Sequence, residues 1–495
     1  MLGTNAERAP RASPFWPEAY GGASSGRERV VGQMSHDDQE DSLDLYTKET
    51  QGHERRYQKI VNFQSSSTKA AVVMLCGAVV ALIVANSGEF YEHFLEFWHT
   101  EVGFVIGGTE ATLSLAHVVN DLAMALFFLL VGMEVKYEMT VGELHNIRKA
   151  LLPIMGACGG VMMPIVIYLI FNMGNADTIN GWGVPTATDI AFALGILSLL
   201  GNRIPNGVRI FLSTLAVADD IIAIIVIAIF YASDISLFWL AMAAVVMVVL
   251  LGFNRANVYS LQPYVLLGIV LWFCVYMSGI HSTIAGVLLA FTIPSGSRIN
   301  MKTFLSWSDK QVAKAGEQYD ENAPLITQKS FLHTINDLRR TSNQVLPPAM
   351  RLEHVLYPWV YFIVLPLFAL TNADVSFITM DLGATFTSPV FMGVFFGLLL
   401  GKPIGIVLMS FIIVKTGLCS LPDNVNWVHM IGAGILGGVG FTMAIFVANL
   451  AFTDDALISI AKLGILTASL LAGIIGFVFL SVQASIAKKH GITYN

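Results

Sequence analysis

From Ala70 onward the chain is a train of apolar runs of roughly membrane-crossing length, divided by short polar breaks. Backbone N–H and C=O groups find no partner in hydrocarbon, so runs of this kind cross as helices. They fall near 70–86, 118–136, 150–172, 183–200, 207–231, 236–253, 260–277, 279–293, 355–371, 388–414, 428–450 and 460–483. This predicts an all-α polytopic membrane protein with about twelve transmembrane helices. Two of the runs, 260–277 and 279–293, are short and divided only by Ser278-Gly279. Composition agrees: 13% of the 495 residues are charged, about half the share of a soluble domain.

Loop charge supplies the orientation. With a cytoplasmic N-terminus, Lys136, Arg148, Lys149, Arg203, Arg209 and Arg255 fall inside. So do the basic set from Arg298 to Arg351, then Lys415, Lys488 and Lys489. The outside segments 87–117, 173–182, 232–235, 372–387 and 451–458 hold no Lys or Arg. That is the positive-inside pattern, and it requires an even number of spans with both termini cytoplasmic.

Residues 1–68 read as a polar, disordered cytoplasmic tail without a cleavable signal peptide, within which Met34 is an equally good start. Residues 69–293 hold spans one to eight, 294–354 a long cytoplasmic loop that is exposed and partly disordered, 355–485 the last four spans, and 486–495 a cytoplasmic C-terminus. Within 87–117, VGFVIGGTEATL alternates about Gly107-Gly108, the pattern of a β-hairpin or of an irregular loop with a glycine turn. Cys76, Cys158, Cys274 and Cys419 lie in or beside apolar runs without CxxC spacing, so they read as small buried hydrophobes. The net charge of −7, without a basic domain, gives no sign of a nucleic-acid partner. No GxxxxGK[ST] is present, so neither a nucleotide nor any other cofactor is implied.

Ionisable residues at membrane depth are costly and point to function. Asp219-Asp220 in LAVADDIIAIIVIAIF is the strongest case. Adjacent helical positions differ by about 100°, so both carboxylates can face one aqueous cavity. So close and so poorly hydrated, they cannot both ionise cheaply. The pair can hold protons, or a hard cation through its oxygens, but not both. That exclusion is the physical core of exchange.

Asp189 lies in GVPTATDIAFALGIL, where Pro185, Thr186, Thr188 and Asp189 interrupt an apolar run with helix-breaking and capping residues. The expectation is a helix broken at membrane depth, or a simple Pro kink. Gly432, Gly434, Gly437, Gly438 and Gly440 in the eleventh run allow a second unwound crossing or a close-packing face. Met163-Pro164-Ile165 in the third run and Lys402-Pro403-Ile404 in the tenth form a faint internal match. Lys402 is a basic residue deep within an apolar run, placed to balance helix C-termini or a carboxylate. Asp121 and Glu134 flank the second span, and Glu353-His354 opens the ninth, where a His titrates near neutral pH.

The stretches NDLAMALFFLLVGMEVK (120–136), PTATDIAFALGIL (185–197), LAVADDIIAII (215–225), GIHSTIAGVLLAFTIP (279–294), RLEHVLYPWV (351–360), LPLFALTNA (365–373), GKPIGI (401–406) and GFTMAIFVANLAF (440–452) resemble, in order, the bacterial NhaA-type sodium/proton antiporters. The resemblance implies inverted repeats with the fourth and eleventh spans broken, an architecture for which this family is itself a standard example. It implies that Asp219 and Asp220 bind Na⁺, Li⁺ or H⁺, with Thr188, Asp189 and Lys402 as supports that compensate helix dipoles. It also implies a cytoplasmic funnel, for which Asp121 is a candidate, and a pH-sensing cluster of Glu134, Glu353 and His354. Residues 87–117 would then pair two subunits into a homodimer in a bacterial inner-membrane bilayer. The chain departs from the family in its long N-terminal tail and 294–354 loop, and in Tyr357, where some members carry a second His.

The leading expectation is therefore electrogenic, pH-regulated Na⁺(Li⁺)/H⁺ antiport, not enzymatic activity. An intramembrane aspartyl protease also needs two carboxylates, but on separate helices with a GxGD motif, which is missing. A related-fold sodium-coupled organic-anion symporter and a transport-silent sensor are the alternatives.

Overall fold

The computed structural model describes residues 56, 58–64, 66–106, 109–231, 235–297, 299–378 and 380–489. The chain divides into two units, Met1–Gln58 and Lys59–Asn495. The predicted tail to residue 55, the Gly107-Gly108 turn and the end from residue 490 lie outside the described residues.

The second unit is a helical membrane bundle. In chain order its main elements are α1 (Ser67–Ala85), α2 (Glu89–His99), β1 (Glu101–Ile106), β2 (Thr109–Ser114), α3 (Leu115–Thr140) and α4 (Ile147–Asn172). A bent pair comes next, α5 (Ala176–Thr186) and α6 (Ile190–Leu199), then α7 (Asn206–Phe230), α8 (Leu237–Arg255), α9 (Leu261–Met277) and α10 (Thr283–Thr292). Helices α11 (Met301–Gln318) and α12 (Lys329–Val345) precede α13 (Pro348–Asn372) and α14 (Pro389–Lys415). A second bent pair, α15 (Trp427–Gly437) and α16 (Phe441–Ala451), leads to α17 (Asp455–Lys489).

Among the described residues, 8 helices are long and apolar enough to cross a membrane, or up to 10 if each bent pair is one span. Helices α9 and α10 are apolar but shorter, which reflects the two short runs around Ser278-Gly279. Large apolar side chains such as Leu237, Phe238 and Val248 of α8 are exposed because the solvent at this depth is lipid. The cysteine expectation needs correction for the same reason. Cys274 is buried and Cys158 and Cys419 are partly so, but Cys76 lies exposed on α1. A small apolar side chain costs nothing when it faces lipid.

Two groups of helices share the core. In the first, α1 packs on α13, and α3 packs on α10 and on α13. In the second, α4 packs on α14 and α7, α14 packs on α15 and α17, and the bent pairs join α4, α7 and α17. Helices α4 and α14 pack unusually closely. A Cβ on Gly159 of α4 would sit 2.2 Å from the Gly405 carbonyl oxygen of α14. Only paired glycines let the two Pro-containing helices approach this closely.

Strands β1 and β2 pair antiparallel, from Glu101 opposite Ser114 to Ile106 opposite Thr109. The stretch expected to be partly disordered contains instead the polar helices α11 and α12, which pack on one another. Asn300 caps α11 by accepting from the Lys302 and Thr303 amides, and Tyr319 and Phe331 close the hairpin with ring centroids 5.4 Å apart. Low hydrophobicity suggests disorder; local capping and a few apolar contacts decide otherwise.

Candidate functional site

Both bent pairs break where the sequence is least able to continue a helix. Between α5 and α6 the chain turns by 42°: Pro185 donates no hydrogen bond, and Asp189 takes extended backbone angles (φ −91°, ψ 99°). Between α15 and α16 the bend is 46°, across Gly438, Val439 and Gly440. The two breaks touch, because the Asp189 amide donates to the Val439 carbonyl at 2.8 Å. Each break leaves a C-terminal end with free carbonyls and an N-terminal end with free amides. Buried in apolar surroundings, all of these need partners.

Asp189 serves the two N-terminal ends. It is 2% exposed, and its carboxylate accepts from the Phe192 amide of α6 at 3.0 Å. The same carboxylate accepts from the Thr442 hydroxyl at 2.5 Å and the Thr442 amide of α16 at 3.2 Å. Lys402 serves the other ends. It is 1% exposed, and its ammonium donates to the Thr186 carbonyl closing α5 at 2.6 Å and to the Thr188 hydroxyl. Gly437, the last residue of α15, places its carbonyl 3.2 Å from that hydroxyl. A negative group at facing positive ends and a positive group at facing negative ends is the arrangement helix dipoles favour.

The paired carboxylates lie against this crossing. Asp219 and Asp220 sit near the middle of the 25-residue α7, each 2% exposed. Asp219 Oδ2 accepts from Lys402 Nζ at 2.7 Å and from the Thr188 hydroxyl at 2.5 Å. Asp219 Oδ1 and Asp220 Oδ2 are buried without a hydrogen-bond partner. Buried carboxylate oxygens without a protein donor need a proton or a hard cation as partner. Among the described residues no group of three or more His, Cys, Asp or Glu side chains is placed to hold a metal.

Five sequence candidates thus converge: Thr188, Asp189, Asp219, Asp220 and Lys402. Glu134 is 8% exposed on α3 and lies within electrostatic reach of Asp220 and of the buried Tyr361. Tyr357, at the position where some members of the resembled family carry a His, packs on Tyr361 with ring centroids 4.4 Å apart. Glu353 is half-buried and His354 exposed on α13. Asp121, the funnel candidate, stands 13 positions before Glu134 on α3, about 20 Å away at helical rise. It accepts from the Ser282 hydroxyl at 3.2 Å, just before α10.

Sequence reading missed two supports. Thr442 had a usable signal, a hydroxyl residue in the first turn after the glycine run, equivalent to the PTATD threonines. Ser469 had none. Its hydroxyl, from within α17, accepts from the Gly440 and Phe441 amides at 3.2 and 3.0 Å, and only the fold brings it there.

Comparison with known proteins identifies the family. A family model described as Na⁺/H⁺ antiporter 1 matches residues 61–480. The chain is similar to the Na(+)/H(+) antiporter NhaA of Wolinella succinogenes, with 41% identity covering 87% of this chain and 94% of that protein. It is also similar to the proteins of the same name from Janthinobacterium sp. (strain Marseille), 42% identical over 87% of this chain and 94% of the relative, and from Helicobacter pylori (strain HPAG1), 43% identical over 85% and 94%.

Proposed function

The chain belongs to the Na⁺/H⁺ antiporter 1 family, and from that premise we propose that the Asp219–Asp220 pair exchanges one Na⁺ for at least two protons. It is a multi-pass membrane transporter, not an enzyme. The observation that carries the ion-site assignment is the junction of Lys402, Thr188 and Asp219 beside the unpartnered oxygen of Asp220.

The proton count comes from charge. With the contacts as they stand, Lys402⁺ neutralises Asp219⁻, and a proton on Asp220 makes the site neutral overall. A Na⁺ bridging both carboxylates must take Lys402's place at Asp219 and the proton's place at Asp220. Displaced from Asp219 and still buried, the Lys402 ammonium would stand without its counter-ion, at a cost of several kcal/mol, so it gives up its proton as well and leaves one net negative charge on the Na⁺-loaded site. Two protons leave for one Na⁺, so each cycle moves net charge and the membrane potential drives it. Proton and cation cannot occupy the same oxygens, which is why the fluxes are coupled. Thr188 follows Lys402 or Na⁺ with its hydroxyl, while Asp189 and Thr442 hold the crossing still.

The remaining architecture fits the same reading. Twelve crossings, counting each bent pair as one and including α9 and α10, fit both termini on one face, which the loop charges make the cytoplasmic face of a bacterial inner membrane. Helices α4 and α14 are equivalent members of two inverted repeats, and the β1–β2 hairpin lies outside, where it pairs two subunits. Glu134, with Glu353 and His354 on α13, sets the pH response. Li⁺ shares the Na⁺ site.

The test is proton-gradient collapse in everted membrane vesicles on adding Na⁺, Li⁺ or K⁺ at pH 7 and 8.5. Wild type should dissipate the gradient with Na⁺ and Li⁺, and Asp220→Asn should not. Full activity in Asp220→Asn would overturn the site assignment. A correctly inserted wild type without activity at either pH would overturn the function.

A further inference from the structure

Beyond the ion site, the most connected polar cluster lies at the opposite end of α13 from Glu353, around its last turn in the sequence TNAD. Asn372, 4% exposed, donates to the Asn120 side chain of α3 at 2.7 Å and accepts from the Asn449 side chain of α16 at 2.8 Å. Two residues on, Asp374 pairs with Lys462 of α17 at 2.8 Å and accepts from the Tyr91 hydroxyl of α2 at 3.2 Å. Asn86, at the end of α1, fixes the same segment by donating to the Val375 carbonyl and accepting from the Phe377 amide at 2.9 and 2.7 Å.

The two ends of these contacts belong to different helix groups. Asn120, Asn372, Asp374 and Tyr91 lie on or beside α1, α3 and α13; Asn449 and Lys462 lie on α16 and α17, which carry the broken crossing. Asn449 stands seven residues beyond Thr442 on α16, about 10 Å from the site at helical rise. In the proposed orientation this is the outside end of every helix involved. On the antiport reading, the way from Asp220 to the outside would run between the two groups, where these contacts close them.

We infer that Lys462–Asp374, with Asn449–Asn372 beneath it, is the outer latch of the transport cycle, closed in this structure and parted to release Na⁺. The inference rests on the antiport reading above. The chemistry suits a latch better than a permanent staple. The ion-pair side chains are 11% and 13% exposed, so separating them in a dry seam leaves two poorly hydrated charges. Once the groups rock apart, water enters and solvates both. The pair is thus stable closed and stable open, and costly only in between. Asparagines behave alike, exchanging amide partners for water. Tyr91 remains a donor to Asp374 throughout the physiological range, because burial and that carboxylate push its hydroxyl up.

The test uses Lys462→Cys with Asp374→Cys in the full chain, assayed in everted vesicles. Before cross-linking, Na⁺-driven gradient collapse should persist, which independently checks the antiport reading. A short bis-methanethiosulfonate reagent should then abolish exchange, dithiothreitol should restore it, and neither single variant should respond. Full exchange in the cross-linked protein would overturn the latch while leaving the antiport reading standing. A second measurement covers a double-cysteine variant that does not insert. Asn449→Cys should react with a membrane-impermeant maleimide from outside at least tenfold faster when Lys462→Met and Asp374→Asn are present, measured against the same chain without the new cysteine. An unchanged rate would overturn the inference.

Discussion

Replacing Lys402 by methionine keeps its length and most of its packing but removes the charge. Three contacts go with it: the Thr186 carbonyl, the Thr188 hydroxyl and Asp219. Asp219 is 2% exposed and its Oδ1 already lacks a partner, so the ionised carboxylate would stand buried without a counter-charge. Breaking a buried pair from one side costs about 3–5 kcal/mol. Lys402→Met should therefore be about 3–5 kcal/mol less stable than wild type, and removing the carboxylate charge as well, in Lys402→Met/Asp219→Asn, should recover much of the loss. Thermal unfolding of the detergent-purified proteins by tryptophan fluorescence measures this. Equal melting temperatures for Lys402→Met and wild type, or a double variant no more stable than Lys402→Met, would refute the idea that Lys402 and Asp219 neutralise each other.

The neighbouring contacts make further outcomes measurable. Thr442→Val deprives Asp189 of its 2.5 Å hydroxyl donor; a charge-assisted bond of this kind contributes about 1.5–3 kcal/mol, so a lower melting temperature and a raised apparent KM for Na⁺ are expected in vesicle assays. Ser469→Ala strips two buried amides of their acceptor, at about 1–3 kcal/mol each, and should destabilise the detergent-purified protein while Ser469→Thr rescues it. Gly405→Ala puts a methyl 2.0 Å from the Gly159 carbonyl oxygen; the forced separation of α4 and α14 should cost about 1–3 kcal/mol, visible as loss of monodisperse protein on size exclusion.

What the sequence disclosed, and what it withheld, divides along physical lines. Asp219, Asp220, Asp189 and Lys402 stand out because a charge in an apolar run is expensive and needs a reason, and all four meet. The two breaks are legible because Pro185 and the glycine run cannot sustain a helix. Ser469 and the Asn120–Asn372–Asn449 contacts are not legible, since neutral polar residues are cheap enough in a membrane helix to pass as incidental. Asp121 stands well away from Glu134 along α3, and its partner Ser282 could not be read from the sequence. The helices α11 and α12 escape notice because their stability comes from a cap and a few ring contacts, not from an apolar face strong enough to read in composition.

The central claim is that Na⁺ and protons compete for the same two carboxylates, with Lys402 contributing one of the protons. It is tested most directly by counting protons released into weakly buffered solution as Na⁺ binds to the purified protein at fixed pH. The mechanism predicts two protons released per Na⁺ bound by wild type and none by Asp220→Asn, which should not bind Na⁺ at all. Na⁺ binding without proton release would contradict it.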